Sequence, residues 1–207
     1  MVAQVPGGDG GVAVAGLPAW QLARRQRIVE AALRALESRE YEQIQIRDIA
    51  QAAEVALGTL YRYFSSKEHL YAAVLQEWAA FERPGRPRAA NLTAQQRARQ
   101  RIHSIIRAFE RQPQFYKVHV LLQTSADPNA KVLLAEFAAS AQASLAREFQ
   151  ALGRAEADDA AVMLWSIIST MVTKAIYRGG TTREVHRLAD RFLDLLEPRW
   201  PLDIDTN

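Results

Sequence analysis

There is no cysteine anywhere in this chain. That excludes a disulfide framework, a thiolate nucleophile and every cysteine-based zinc site, and it suits a reducing cytoplasm. An excess of one charge is lacking as well, with 26 Lys and Arg against 23 Asp and Glu for a net charge of +3. Composition alone therefore gives no reason to expect a polyanionic partner. Long apolar runs are missing too. Within a helical pattern the longest uncharged stretch is Ala160 to Thr173, shorter than the ~20 residues that cross a bilayer, so it reads as a buried core helix with no membrane association. The four histidines, His69, His103, His119 and His186, form no HExxH pair, and no Walker loop is present. GGDGG at Gly7 to Gly11 follows no strand pattern. No catalytic residue, metal or cofactor is expected.

What is present is an apolar fraction of 49%, ample for the core of one domain or two small ones. Residues 1–18 lack the basic start and long apolar core of a secretion signal and read as a Gly-rich tail. Apolar spacing and breakers then predict an all-α chain of about nine helices. The first runs from Ala19 to Arg39, with Ile28, Ala31, Ala32, Ala35 and Leu36 along one side. A helix from Ser66 to Glu82 carries Leu70, Val74, Trp78 and Phe81. Pro84 to Arg88 breaks the pattern, and Thr93 caps a helix through Ile102, Ile106 and Phe109. Pro113 restarts the chain for Phe115 to Thr124, and Val132, Leu133, Phe137, Leu145 and Phe149 line the next long helix. Asp158 opens a very apolar helix that Gly179-Gly180 stops, and Thr181-Thr182 caps a last one ending at Pro198.

The most informative stretch is Arg47 to Leu70, RDIAQAAEVALGTLYRYFSSKEHL. Ile49 and Ala53 repeat at helical spacing, Val55 closes a tight turn, and Leu60 and Phe64 repeat four apart, so two short helices share one small core. The outward face of the second is read as Gly58, Thr59, Tyr61, Arg62 and Tyr63. Hydroxyls and a guanidinium suit phosphate oxygens and base edges, and a glycine lets the backbone approach closely.

These residues resemble the helix-turn-helix of the TetR family of bacterial transcriptional regulators. Its usual pattern is an arginine opening the second helix, Ile-Ala, a turn ending in Val, then Gly-Thr-Leu-Tyr-x-x-Phe-x-Ser-Lys-Glu-x-Leu. Arg47, Ile49, Ala50, Val55, Gly58, Thr59, Leu60, Tyr61, Phe64, Ser66, Lys67, Glu68 and Leu70 stand in those places. Gln45 replaces the common cap Thr and Glu54 the common turn Gly; Glu54 needs a turn that avoids positive φ or carries it at some cost. The resemblance implies a DNA-binding domain over 19–65, an effector-binding and dimerisation domain over 66–200, and tails at 1–18 and 201–207. It implies operator DNA with an inverted repeat, a homodimer through the last two helices, a small hydrophobic effector and a cytoplasmic, nucleoid-associated protein. Arg62 and the Tyr63 edge would read bases, while Thr59, Tyr61 and Lys67 fix the backbone and Arg47 contacts from the preceding helix. RAFERQP at Arg107 to Pro113 and VALGTLYRYF at Val55 to Phe64 are also similar to repressors of steroid and cholesterol catabolism in actinobacteria. That implies a bulky lipid-like effector, such as a steroid or a fatty acyl chain on coenzyme A.

For such an effector the candidates are Phe109, Tyr116, His119, Val120, Gln123, Phe137, Trp165 and Ser169, each of which also suits an ordinary core or surface position. From Arg83 to Arg107 seven arginines occur with no acid, either as a solvated linker and helix face or as an anion-binding surface. His186, Asp190 and Asp194 recur on one helix face and could hold a metal; interleaved Arg183, Arg187 and Arg191 make surface ion pairing the better reading. A small helical enzyme or lipid carrier with a vestigial motif is the alternative, and retention of Tyr61 and Lys67 speaks against it.

Overall fold

The structure is a computed structural model that describes residues 17–81 and 92–199. Residues 1–16 and 200–207, and the Pro84 to Arg88 break with Arg83, lie outside the described residues. Among the described residues all regular structure is helical, in nine α-helices and three short 3-10 turns. The α-helices are α1 (Ala19–Ser38), α2 (Ile46–Ala52), α3 (Leu57–Tyr63), α4 (Lys67–Phe81), α5 (Ala94–Arg111), α6 (Pro113–Leu122), α7 (Pro128–Glu148), α8 (Arg154–Tyr177) and α9 (Thr182–Leu196). The chain divides into two compact units, Met1–Trp78 with Leu121–Leu134, and Ala79–Val120 with Ala135–Asn207. The first unit thus takes in most of α4 and the turn between α6 and α7, beside the sequence-based division at residue 65.

The first unit is held by one small core. Ile28, Ala32 and Leu36 of α1, Ile49 and Ala50 of α2, Leu60 and Phe64 at α3, and Leu70, Tyr71 and Val74 of α4 are all buried. A 3-10 turn at Tyr41–Gln43, not anticipated from sequence, places Tyr41 edge-on to Tyr71 with ring centroids 5.1 Å apart. The Tyr71 hydroxyl donates to the Ala32 carbonyl at 3.3 Å, so its one polar atom is satisfied inside the core.

Both departures from the family pattern have a visible local consequence. Gln45 precedes α2 and offers no side-chain cap. Glu54 sits at φ 55°, in the left-handed region. The Glu54 N–H donates to Gln51 O at 3.1 Å and the Val55 N–H to Ala50 O at 2.9 Å, the pair of bonds that closes a Schellman turn. That turn requires the left-handed residue, and a side chain there costs about 1 kcal/mol. Glu54→Gly is therefore expected to stabilise the first unit by about 0.5–1 kcal/mol, after allowing for the larger entropy glycine loses on folding. Urea denaturation of the two proteins measures it, and a loss of stability would show that the Glu54 side chain contributes more than its backbone costs.

In the second unit α5 starts from a capping box: the Gln96 N–H donates to Thr93 Oγ1 and the Thr93 N–H to Gln96 Oε1. Ala98, Ile102, Ile106 and Phe109 of α5, Leu164, Ile168 and Val172 of α8, and Val185, Ala189 and Leu193 of α9 are buried. Gly179 at φ 71° ends α8. A Cβ on Gly180 would lie 3.1 Å from the Ala175 backbone, so the pair of glycines makes a tight α8–α9 corner. Three expectations need correction. Val132 on α7 is exposed, and Leu134 takes the buried position. α8 begins at Arg154, four residues before Asp158, with Gly153 as its cap. It also packs by one face only, since Val162, Met163 and Tyr177 are exposed. With those four residues added, α8 reaches 24 residues and is long and apolar enough, by length and composition alone, to cross a membrane; one face of it is buried, and it packs on α9.

Candidate nucleic-acid interface

On α3 the backbone period separates two faces. Leu60 and Tyr63 point inward with Phe64, and Leu57, Gly58, Tyr61 and Arg62 point outward, with Thr59 half-buried at the edge. The expectation that Tyr63 belongs to the outward face is corrected: it is 6% exposed. Residues three and four apart share a helix face, so Tyr63 falls with Leu60 and not with Arg62. Tyr61, by contrast, is 47% exposed. Arg47 projects from α2 with its side chain largely in solvent and only a loose 3.6 Å approach to Asp48.

Gly58 is the most instructive of these residues. Its backbone is not in the left-handed region, and a Cβ built on it meets nothing within 4 Å. Neither the fold nor the turn requires a glycine here, although glycine inside a helix costs about 0.5–1 kcal/mol relative to alanine. Gly58→Ala is expected to stabilise the first unit by that amount while weakening duplex DNA binding. Paired denaturation and DNA-binding titrations check it, and unchanged DNA affinity would remove the reason for a glycine at this position.

Lys67 is turned toward its own chain. Its ammonium donates to the carbonyls of Tyr41 at 2.5 Å and Ile44 at 2.7 Å and lies 4.1 Å from the Tyr41 ring centre. Burial lowers its pKa, opposed by Glu42 and Glu68. Two of its three N–H donors are thus used within the protein. A second network, not legible in the sequence, ties the end of α3 to the start of α7. The Ser65 hydroxyl donates to Asp127 Oδ2 at 2.8 Å, Asn129 Nδ2 donates to Ser65 Oγ at 3.1 Å, and the Ser65 N–H donates to His69 Nδ1 at 3.1 Å. Burial alone would raise the Asp127 carboxyl, but hydrogen bonds from Ser66, Ser65 and the Ala130 and Asn129 N–H groups together hold it below its ordinary range. Burial lowers the pKa of His69, with Arg25 adding to the effect and Asp127 opposing it.

The second unit gathers most of the effector candidates. Ring centroids are 5.0 Å apart for Phe109 and Tyr116, 5.7 Å for Tyr116 and His119, 5.1 Å for His119 and Phe137, and 6.3 Å for His119 and Trp165. The Tyr116 hydroxyl donates to the Ser169 carbonyl and lies 3.1 Å from Thr173 Oγ1, while Ser169 Oγ is buried without a hydrogen-bond partner among the described residues. Val120 is half-buried beside His119 on α6. Gln123 lies beyond α6, exposed and in the first unit. A cavity of about 90 Å³ opens beside Phe109, lined also by Ile106, Val172, Ala175 and Ile176.

The arginine-rich segment is acid-free only along the chain. Arg99 reaches from α5 to Asp190 at 2.6 Å and Asp194 at 2.7 Å on α9, and Arg101 donates to Ser144 Oγ at 3.3 Å. Surface ion pairing at Asp190 and Asp194 is therefore present, with Arg99 as the partner in place of the interleaved Arg183, Arg187 and Arg191. His103 meets Asp190 at 2.7 Å and His186 meets Glu110 at 3.3 Å, completing a polar seam between α5 and α9.

Residues 28–74 match the family of bacterial regulatory proteins designated the tetR family. The chain is 35% identical over 112 residues to the HTH-type transcriptional repressor KstR of Mycobacterium tuberculosis, covering 53% of this chain and 51% of that protein. It is 40% identical over 97 residues to KstR of Mycolicibacterium smegmatis, covering 45% and 47%. The chain thus spans about half the length of the curated relatives it matches. In fold it is similar to a TetR transcriptional regulator from Rhodococcus sp. RHA1, with TM-score 0.68 at 21% identity over 91% of this chain and all of the other. It is also similar to FadR of Bacillus subtilis in complex with stearoyl-CoA, with TM-score 0.59 at 20% identity over 83% and 96% of the two chains. Residues 28–74, from α1 to α4, thus carry the helix-turn-helix of the tetR family of bacterial regulatory proteins, and the all-helical fold of the chain is similar to that of solved TetR-type regulators.

Proposed function

We propose that the protein is an effector-controlled transcriptional repressor of the cytoplasm that binds an inverted-repeat operator as a two-fold dimer. The observation that carries this is the outward row of α3, where Gly58, Tyr61 and Arg62 stand exposed, with no side-chain hydrogen bond or ion pair among the described residues. Arg62 reads a base edge, Thr59 and Tyr61 hold the backbone and Arg47 adds a contact from α2, while Lys67, expected from sequence to join them, instead braces the turn before α2 through the Tyr41 and Ile44 carbonyls. The relatives named as transcriptional repressors support the same reading. The dimer forms through α8 and α9, whose exposed Val162, Met163 and Leu195 offer apolar surface for a two-fold partner.

The effector enters the second unit among Phe109, Tyr116, His119, Phe137 and Trp165. Their apolar walls and few polar anchors suit a lipid chain or steroid, and the neighbour solved with stearoyl-CoA supports an acyl thioester. A drug-sized ligand needs roughly 300 Å³ or more, and the space beside Phe109 is about 90 Å³, so the effector binds a widened state of the second unit more tightly than the closed one, and that difference in affinity shifts the equilibrium away from the DNA-bound state.

Selection of duplexes from a random library by the purified protein tests the reading, with an inverted repeat as the expected outcome. Arg62→Ala should then cost about 1–3 kcal/mol on the selected duplex and relax base preference at one position of each half-site. Equal, salt-independent binding of selected and random duplexes would overturn it.

A further inference from the structure

The outward row of α3 contains a residue with no polar function. Leu57 is 44% exposed, and it lies one turn from Tyr61 on the face that also carries Gly58 and Arg62. Of the other large apolar or aromatic residues of the helix, Leu60 is fully buried and Tyr63 nearly so, and Tyr61, which is exposed, carries a hydroxyl. The exposed part of this leucine gains nothing for the fold, and the side chain can neither donate to nor accept from a phosphate or a base edge. In the major groove the one apolar group that duplex DNA presents is the C5-methyl of thymine.

We infer that Leu57 is a specificity-determining residue that selects thymine at one position of each operator half-site by packing on its C5-methyl group. The inference rests on the proposed DNA-reading role of α3 and adds to it a base that a guanidinium cannot report. With Tyr63 buried, Arg62 is the single charged side chain on this face, and arginine pairs best with guanine. Leu57, in the adjoining row, extends the reading to a neighbouring base pair without a hydrogen bond. Gly58 beside it, with no side chain, leaves the helix close enough for a branched apolar group to reach a methyl.

Replacing thymine by uracil deletes the methyl and leaves every hydrogen-bonding group in place, so it isolates this contact. The probe is the best duplex selected from a random library, together with a set in which each thymine is replaced by uracil at equivalent places in both half-sites. For the wild type, one replacement is expected to weaken binding about fourfold per half-site, hence about fifteenfold for the symmetric duplex, from the burial of one methyl group. Leu57→Ala, at an exposed position and with a better helix former, should keep the wild-type melting temperature and bind the thymine and uracil duplexes equally. A wild type indifferent to uracil at every position, or a uracil penalty that survives in Leu57→Ala, would overturn the inference while leaving the regulatory reading intact. Failure of the wild type to enrich any duplex would overturn both.

Discussion

Lys67→Ala is expected to lower the stability of the first unit by about 2–4 kcal/mol, far more than loss of a surface lysine would. Its ammonium donates to the carbonyls of Tyr41 and Ile44, both in buried residues, and stacks over the Tyr41 ring. Each charge-assisted bond contributes about 1.5–3 kcal/mol, offset here by partial access of water to the carbonyls the mutation leaves behind. The 3-10 turn at Tyr41–Gln43 leads directly into α2, so loosening it also loosens Arg47. Urea denaturation followed by circular dichroism measures the stability loss; less than 1 kcal/mol would mean that water replaces the ammonium without consequence. The salt dependence of DNA binding separates this role from a phosphate contact, because loss of one phosphate-bound charge lowers the slope by about 0.9.

Acid should destabilise the second unit through His119 by about 2–3 kcal/mol at pH 4.5. The imidazole is 4% exposed among Tyr116, Phe137 and Trp165, and burial pulls its pKa down to about 4. In the unfolded chain the same group titrates near 6.5, so as pH falls the unfolded state takes up the proton first. Stability is therefore fully present above about pH 6.5, declines through the window down to about 4, and loses nothing further from this group below it. His69 acts with the same sign in the first unit, and Asp127, whose pKa is lowered, adds its own loss as pH falls through the carboxylate range. His119→Phe isolates the His119 share, since the variant keeps an aromatic ring with no proton to bind. Its stability should change less between pH 7 and pH 4.5 by the stated amount; parallel pH profiles for the two proteins would show that His119 titrates normally.

Much of the architecture follows from chain-local physics and was legible residue by residue. The buried stripe Ile28, Ala32 and Leu36 on α1, the Thr93 and Thr181 caps, the Gly179-Gly180 stop and the Arg47 to Leu70 motif all express interactions within a few residues. Backbone period and capping are set by hydrogen bonds at most four residues long, so composition in a short window determines them. The burial of Tyr63 was legible by the same rule, its place three residues after Leu60, and a hydroxyl on an aromatic ring obscured it.

Only the tertiary structure decided where the charges and hydroxyls go. Lys67 finds carbonyls 23 and 26 residues away, Ser65 finds Asp127 62 residues away, and Arg99 finds Asp190 and Asp194 91 and 95 residues away. Coulombic and hydrogen-bond energies depend on distance through space, and spacing along the chain carries no information about that once a turn intervenes. The same holds for the aromatic cluster in the second unit, whose members come from α5, α6, α7 and α8 and meet only after those helices pack. The sequence by itself determined which helices form and which short helix carries the motif; packing decided that Lys67 and Arg99 serve the protein's own structure and that Leu57 stays partly exposed, because only burial distinguishes a side chain the fold consumes from one it leaves at the surface.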